Sequence, residues 1–157
     1  MTSSTRNGRL GDDELRNIDG TIVAADVADD LELMLKAFRD QFGRPMRAPE
    51  GYRTYEQQER IFLARHQREP LDGRPTSTWQ DVIWYRLPGV AHCAVPGTSP
   101  HGLGLAIDLP FEEVPGMTGR WLHAGRFGWV WPGWAQVEPT REPWHLEHAP
   151  PRLTVKG

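Results

Sequence analysis

The sequence predicts an α+β fold in which two helices pack on a small antiparallel sheet. Three observations predict it. Residues 26–42 carry apolar side chains at helical spacing, and residues 103–109 alternate apolar with small residues in the manner of a strand. Seven Trp, fourteen Pro and sixteen Gly in 157 residues break the remainder into short elements and loops, which excludes a helical bundle. A chain of this length fits one domain and buries about two-thirds of its unfolded surface.

The elements follow in order. Residues 1–9 are polar and expected to be flexible, leaving 10–157 as a single domain with no repeat or linker. In the first helix Val27, Leu31, Met34, Leu35, Phe38 and Phe42 form the core-facing stripe, and Gly43 with Pro45 stops it. Thr54 followed by Gln57 has the form of a capping box, so a second helix is expected over 55–66. From 68 to 97, Pro70, Pro75, Pro88 and Pro96 forbid a long element. Trp79, Ile83, Trp84 and Tyr85 suggest one amphipathic turn there, and the length of the segment marks it as a candidate lid. Short strands are expected at 103–109, 127–131 and 144–148.

Several functions are excluded early. A formal net charge of −3 without a basic run gives no reason to bind nucleic acid. Cys93 is the sole cysteine, so neither an internal disulfide nor a thiolate zinc site can form. A His92–Cys93 thiol nucleophile lacks an identifiable orienting partner. No apolar run approaches the ~18 residues of a membrane span. The first residues lack the apolar segment of a signal peptide. A monomer made in the cytoplasm is expected, one that reaches any external substrate only after release.

The chemistry concentrates in two segments. In Ser99-Pro-His101-Gly-Leu-Gly104-Leu-Ala-Ile-Asp108, the His and Asp lie seven apart. On a helix they would stand about 10 Å apart along the axis, and on one straight strand they would face opposite ways. They meet only if the chain bends, and Gly102 and Gly104 permit the bend. Glu142-Pro-Trp-His145 supplies what is missing. His145 completes the His, Asp, His set typical of a catalytic zinc site, with the fourth position left to water. Pro143 keeps Glu142 out of helical geometry, in a turn from which it can reach that water as general base and acid. Strand alternation puts Glu147 on the His145 side and turns His148 away. Trp144, with Trp131 or Trp134, is expected near the cleft.

The pattern Ser-x-His-x-x-Gly-x-Ala-x-Asp, then Glu-x-x-His with Trp before the His, resembles the zinc D-alanyl-D-alanine carboxypeptidase family, which includes phage L-alanyl-D-glutamate endopeptidases. Gly51-Tyr-Arg53-Thr54 and Gln57 resemble its upstream element, and the resemblance covers residues 25–150. It implies one zinc per chain held by His101, Asp108 and His145 on the open face of the sheet. It also implies Glu142 as base, Arg53 as a catalytic and substrate-binding cation, and Gln57 and Ser99 as substrate contacts. The implied partner is a peptidoglycan stem peptide. The absent export signal favours an endolysin cutting L-alanyl-D-glutamate, released holin-fashion. The alternatives are removal of a terminal D-alanine, or a non-catalytic zinc-stabilised wall-binding module that would have no use for Glu142.

Overall fold

A computed structural model describes residues 6–149. A hairpin of β1 (Leu15–Ile18) and β2 (Thr21–Ala24) leads straight into helix α1 (Ala25–Phe42). Asp19 and Gly20, both at positive φ, form its two-residue turn. The long helix buries Val27, Ala28, Leu31, Met34 and Phe38, and it stops at Gly43, whose left-handed conformation lets its N–H reach the Arg39 carbonyl. These side chains meet Ile107, Leu109, Leu122, Trp129 and Leu146 in the main core.

Helix α2 (Tyr55–Arg65) begins where expected. The Thr54 hydroxyl accepts from the Gln57 N–H, and the Gln57 side chain accepts from the Thr54 N–H. Next come β3 (His66–Gln67), β4 (Thr76–Trp79) and β5 (Val82–Arg86), arranged β3-β5-β4 in a second antiparallel sheet. The expected irregular segment therefore contains a hairpin over 76–86, whose Trp79 is buried with Phe62 and Cys93.

The third sheet carries β6 (Ala106–Asp108), β7 (Trp129–Val130) and β8 (His145–His148) in the order β6-β8-β7, all antiparallel. Helix α3 (Gly116–His123), absent from the sequence expectation, covers the core with Leu122. The architecture is α+β as expected, with three helices and three small sheets among the described residues. No helix among them is long and apolar enough to cross a membrane.

Two expectations are corrected. The strand drawn over 103–109 is shortened because Ser99 caps a 3-10 turn at Pro100–Leu103, ended by Gly104 at φ 69°. A Cβ on Gly104 would also stand 2.5 Å from the Ala24 nitrogen, so the bend requires glycine there. Of the expected flexible N-terminus, residues 1–5 lie outside the described residues, but Asn7 and Gly8 are buried. Asn7 Nδ2 donates to the Ser99 carbonyl at 2.8 Å, and the Gly8 N–H donates to the Gly102 carbonyl at 2.7 Å. These contacts strap the turn that bears His101.

Candidate metal centre

The bend between residues 99 and 108 delivers His101 to Asp108, and strand pairing delivers His145. Asp108 on β6 is paired directly with His145 on β8, so both side chains leave the same face. Ile107 and Leu146, paired next to them, are buried in the core on the opposite face. Asp108 Oδ1 lies 3.0 Å from His101 Nε2 and 3.2 Å from His145 Nδ1. Ligand atoms of one tetrahedral zinc at bond lengths of ~2.0–2.1 Å would stand about 3.3 Å apart, so the set is close to metal-binding geometry. Among the described residues this is the one group of three or more potential ligands gathered within 4.8 Å.

The outward nitrogens are held as a metal site requires. His101 Nδ1 donates to the Gly51 carbonyl at 2.8 Å, which leaves Nε2 facing the cluster. His145 Nε2 donates to Glu147 at 2.9 Å, which leaves Nδ1 facing it. The expected side for Glu147 is thus the observed one. His148 turns away to Asp30, 2.8 Å distant, and to the edge of Trp129.

Burial opposes charge on His145. Its hydrogen bonds to Asp108 and Glu147 outweigh that and raise its pKa to about 9. Burial likewise works against the Asp108 carboxylate, yet the two imidazoles hold it well below the ordinary range.

Glu142 is buried and sits in the turn before β8, with Oε1 3.6 Å from His145 Nδ1. Burial, reinforced by repulsion from Asp108, pushes its pKa up to about 7 against the pull of His145, Arg65 and Arg53. Its backbone is fixed on both sides. Trp131 Nε1 donates to the Glu142 carbonyl at 3.0 Å, and His123 Nε2 donates to the Pro143 carbonyl at 2.6 Å. The His123 and Trp131 rings stack with centroids 3.9 Å apart. Trp131 therefore holds the backbone of the turn, while Trp134 and Trp144 line the cleft. The Trp134 ring centroid lies 5.0 Å from that of His145.

The cluster does not lie on a bare sheet face. It lines a cavity of about 330 Å³ together with Arg53, Ile61 and Arg65 and residues of the 92–100 segment. Arg53 Nη2 donates to Asp108 Oδ2 at 3.2 Å, so that carboxylate shows one oxygen to the histidines and the other to the arginine. Ser99 lines the cavity, and its hydroxyl accepts from the His101 N–H at 3.1 Å, so it shapes the turn whatever else it touches.

Gln57 does not meet Arg53. It is exposed, and its amide oxygen is taken by the capping box. The neighbouring Gln58, overlooked in the sequence, is buried; it accepts from Arg53 Nη1 at 2.8 Å and donates to the Ala94 carbonyl at 2.8 Å. The signal for it was its position, since Gln58, Ile61, Phe62 and Arg65 share one helical face.

The family model for VanY, D-alanyl-D-alanine carboxypeptidase, matches residues 20–151. Among solved structures, a vancomycin-resistance D,D-pentapeptidase VanY (an E175A mutant from a VanB-type cassette, in complex with Zn(II)) is 23% identical. It aligns over 87% of this chain and 79% of its own, with a TM-score of 0.54. VanYB in complex with D-Alanine-D-Alanine gives 23% identity, 87% and 77% coverage, and a TM-score of 0.55. An L,D-carboxypeptidase DacB from Streptococcus pneumonia gives 24% identity, 77% and 63% coverage, and a TM-score of 0.50. These likenesses support the fold. A search of curated proteins found no match.

Proposed function

Because this chain belongs to the D-alanyl-D-alanine carboxypeptidase family, we propose that it is a zinc peptidase that trims peptidoglycan stem peptides at their D-alanyl end. The observation that carries the reading is the convergence of His101, Asp108 and His145 with the Glu142 carboxylate poised beside His145. Two imidazoles and one carboxylate, with both outward nitrogens anchored, suit zinc and leave a position for water. Zinc, when bound, supplies a Lewis acid that polarises the scissile carbonyl and makes water a nucleophile near neutral pH.

The chain's own groups do the rest. Glu142, with a pKa near neutrality, accepts the proton of the attacking water and returns it to the departing amine. The hydrogen bonds to the Glu142 and Pro143 carbonyls fix the backbone of the turn that presents that carboxylate. Arg53, steadied by Gln58 and Asp108, offers its remaining N–H groups to the charge that develops on the carbonyl oxygen. Ser99 keeps its hydroxyl hydrogen for the substrate backbone, since its oxygen serves only as acceptor within the turn.

The L-alanyl-D-glutamate cut expected from the sequence gains no support from the family match or from these structures. A wall-binding module without activity leaves the buried Glu142 without a purpose. Incubating the zinc-loaded protein with a synthetic stem pentapeptide ending in D-alanyl-D-alanine tests the reading by mass spectrometry. Loss of one D-alanine is the expected result. A product cut only at L-alanyl-D-glutamate, or an intact peptide, would overturn it.

Zinc uptake should depend on pH with a definite sign. Below about pH 9 the metal-free protein carries a proton on His145 that zinc must displace. Apparent affinity should therefore rise about tenfold per pH unit between pH 7 and 8.5 and level off above 9. Competition with a chromophoric chelator across that range measures it, and a flat profile would place the proton elsewhere.

A further inference from the structure

The turn that carries His101 has little to support it from within. It is a single 3-10 turn over Pro100–Leu103, which fixes many dihedral angles for few internal hydrogen bonds. A functional side chain must nonetheless be held to within about 0.5 Å. Support arrives from a residue 92 positions before Ser99. Asn7, only 5% exposed, donates from Nδ2 to the Ser99 carbonyl at 2.8 Å, and the Gly8 N–H donates to the Gly102 carbonyl at 2.7 Å. The two acceptors bracket His101. The same segment is bonded to the stretch that carries Arg53. The Tyr55 N–H donates to the Gly8 carbonyl at 3.0 Å, and the Leu10 N–H donates to the Tyr52 hydroxyl at 3.1 Å.

Gly102 supplies the counterpart. It lies outside the left-handed region, so the bend itself does not require glycine there. The space does. A Cβ on Gly102 would stand 1.9 Å from Asn7 Oδ1 and 2.8 Å from the Gly8 nitrogen. The missing side chain is therefore the seat of the Asn7 amide. Removing that amide would not orphan the Ser99 carbonyl, which also accepts from the Gly102 N–H at 2.9 Å. Asn7 thus adds little that the turn needs in order to form, and much that it needs in order to stay in one place.

We propose that Asn7 is a positioning residue for the metal centre: seated in the space that Gly102 leaves open, it fixes the place of His101 through the Ser99 carbonyl and so sets the affinity for zinc. This inference rests on His101 as a zinc ligand. It adds a determinant of affinity that touches neither a ligand side chain nor the groups that hold the ligand imidazoles from behind.

The test measures the zinc dissociation constant, by competition with a chromophoric chelator, in the wild type, Asn7→Ala and Asn7→Asp. Asn7→Ala empties the seat. Asn7→Asp fills it at the same size but turns an acceptor towards the Ser99 carbonyl, and it carries the comparison if Asn7→Ala does not fold. Both should bind zinc about 10-fold more weakly, the lower end of what losing a supporting partner of a metal ligand costs. Gly102→Ala, which displaces the amide from the other side, should weaken binding at least as much. The unfolding temperature of metal-free Asn7→Ala should move little, since the Ser99 carbonyl keeps a donor. Cobalt(II) in place of zinc gives a second readout, because its visible spectrum follows coordination geometry, and the variant spectra should depart from that of the wild type. Unchanged zinc affinity in both Asn7 variants, with or without a lower unfolding temperature, overturns the positioning role and leaves the zinc and peptidase readings intact. Failure of both to fold even with zinc present does the same, by making Asn7 part of the fold. A wild type that binds no zinc overturns the ligand assignment and this inference together.

Discussion

Glu142→Gln is expected to retain zinc and the fold and to lower turnover by about 10²–10⁴, the usual worth of a positioned general base. Glutamine keeps the volume and the hydrogen-bonding oxygen of the side chain. The turn is held by backbone contacts that the substitution does not touch, from Trp131 to the Glu142 carbonyl and from the Glu142 N–H to the Ala135 carbonyl. What disappears is a carboxylate whose burial keeps its pKa near 7 and so lets it both take and return a proton. Steady-state kinetics beside metal analysis separates the possibilities. A variant that loses its zinc would make Glu142 a ligand, and the roles of Asp108 and Glu142 would have to be reassigned.

His145→Ala is expected to lose most of the metal and all measurable activity. The side chain is one of three inward-facing donors, and it is gripped from behind by Glu147. Its removal also leaves Asp108 and Glu147 facing each other's space with less positive charge between them. Destabilisation should nonetheless be partial, because the main core around Leu31, Met34, Phe38, Trp129 and Leu146 forms without the ion. Thermal unfolding should show a cooperative transition at lower temperature than the zinc-loaded wild type, in line with the stabilisation that a tightly bound ligand lends the folded state. A wild type that loses cooperative unfolding on chelation would mean that the metal, and not the core, holds the fold.

Much of this molecule was legible in its residues because the chemistry constrains spacing. A His and an Asp seven apart meet only across a bend, and Gly104 with the Ser99 cap provides it. The stripe of α1 and the capping box of α2 gave both long helices nearly to the residue. The misses have local causes. Asp19-Gly20 is a hairpin turn signal that was passed over. The β4–β5 turn instead places Gln80 and Asp81 at positive φ, where no glycine announces it. Helix α3 carries two glycines in eight residues, which conceals it from any propensity argument. Gln57 stands in the segment that resembles the family's upstream element and also completes a capping box; its side-chain oxygen caps the helix end, while Gln58 reaches Arg53.

The most direct test of the central claim is the zinc content of the purified protein, measured on the same sample whose cleavage of a D-alanyl-D-alanine stem peptide is followed before and after chelation. One zinc per chain is expected, with activity lost on chelation and regained when zinc is returned. Full cleavage by a protein that contains no metal would contradict the assignment of His101, Asp108 and His145 as ligands.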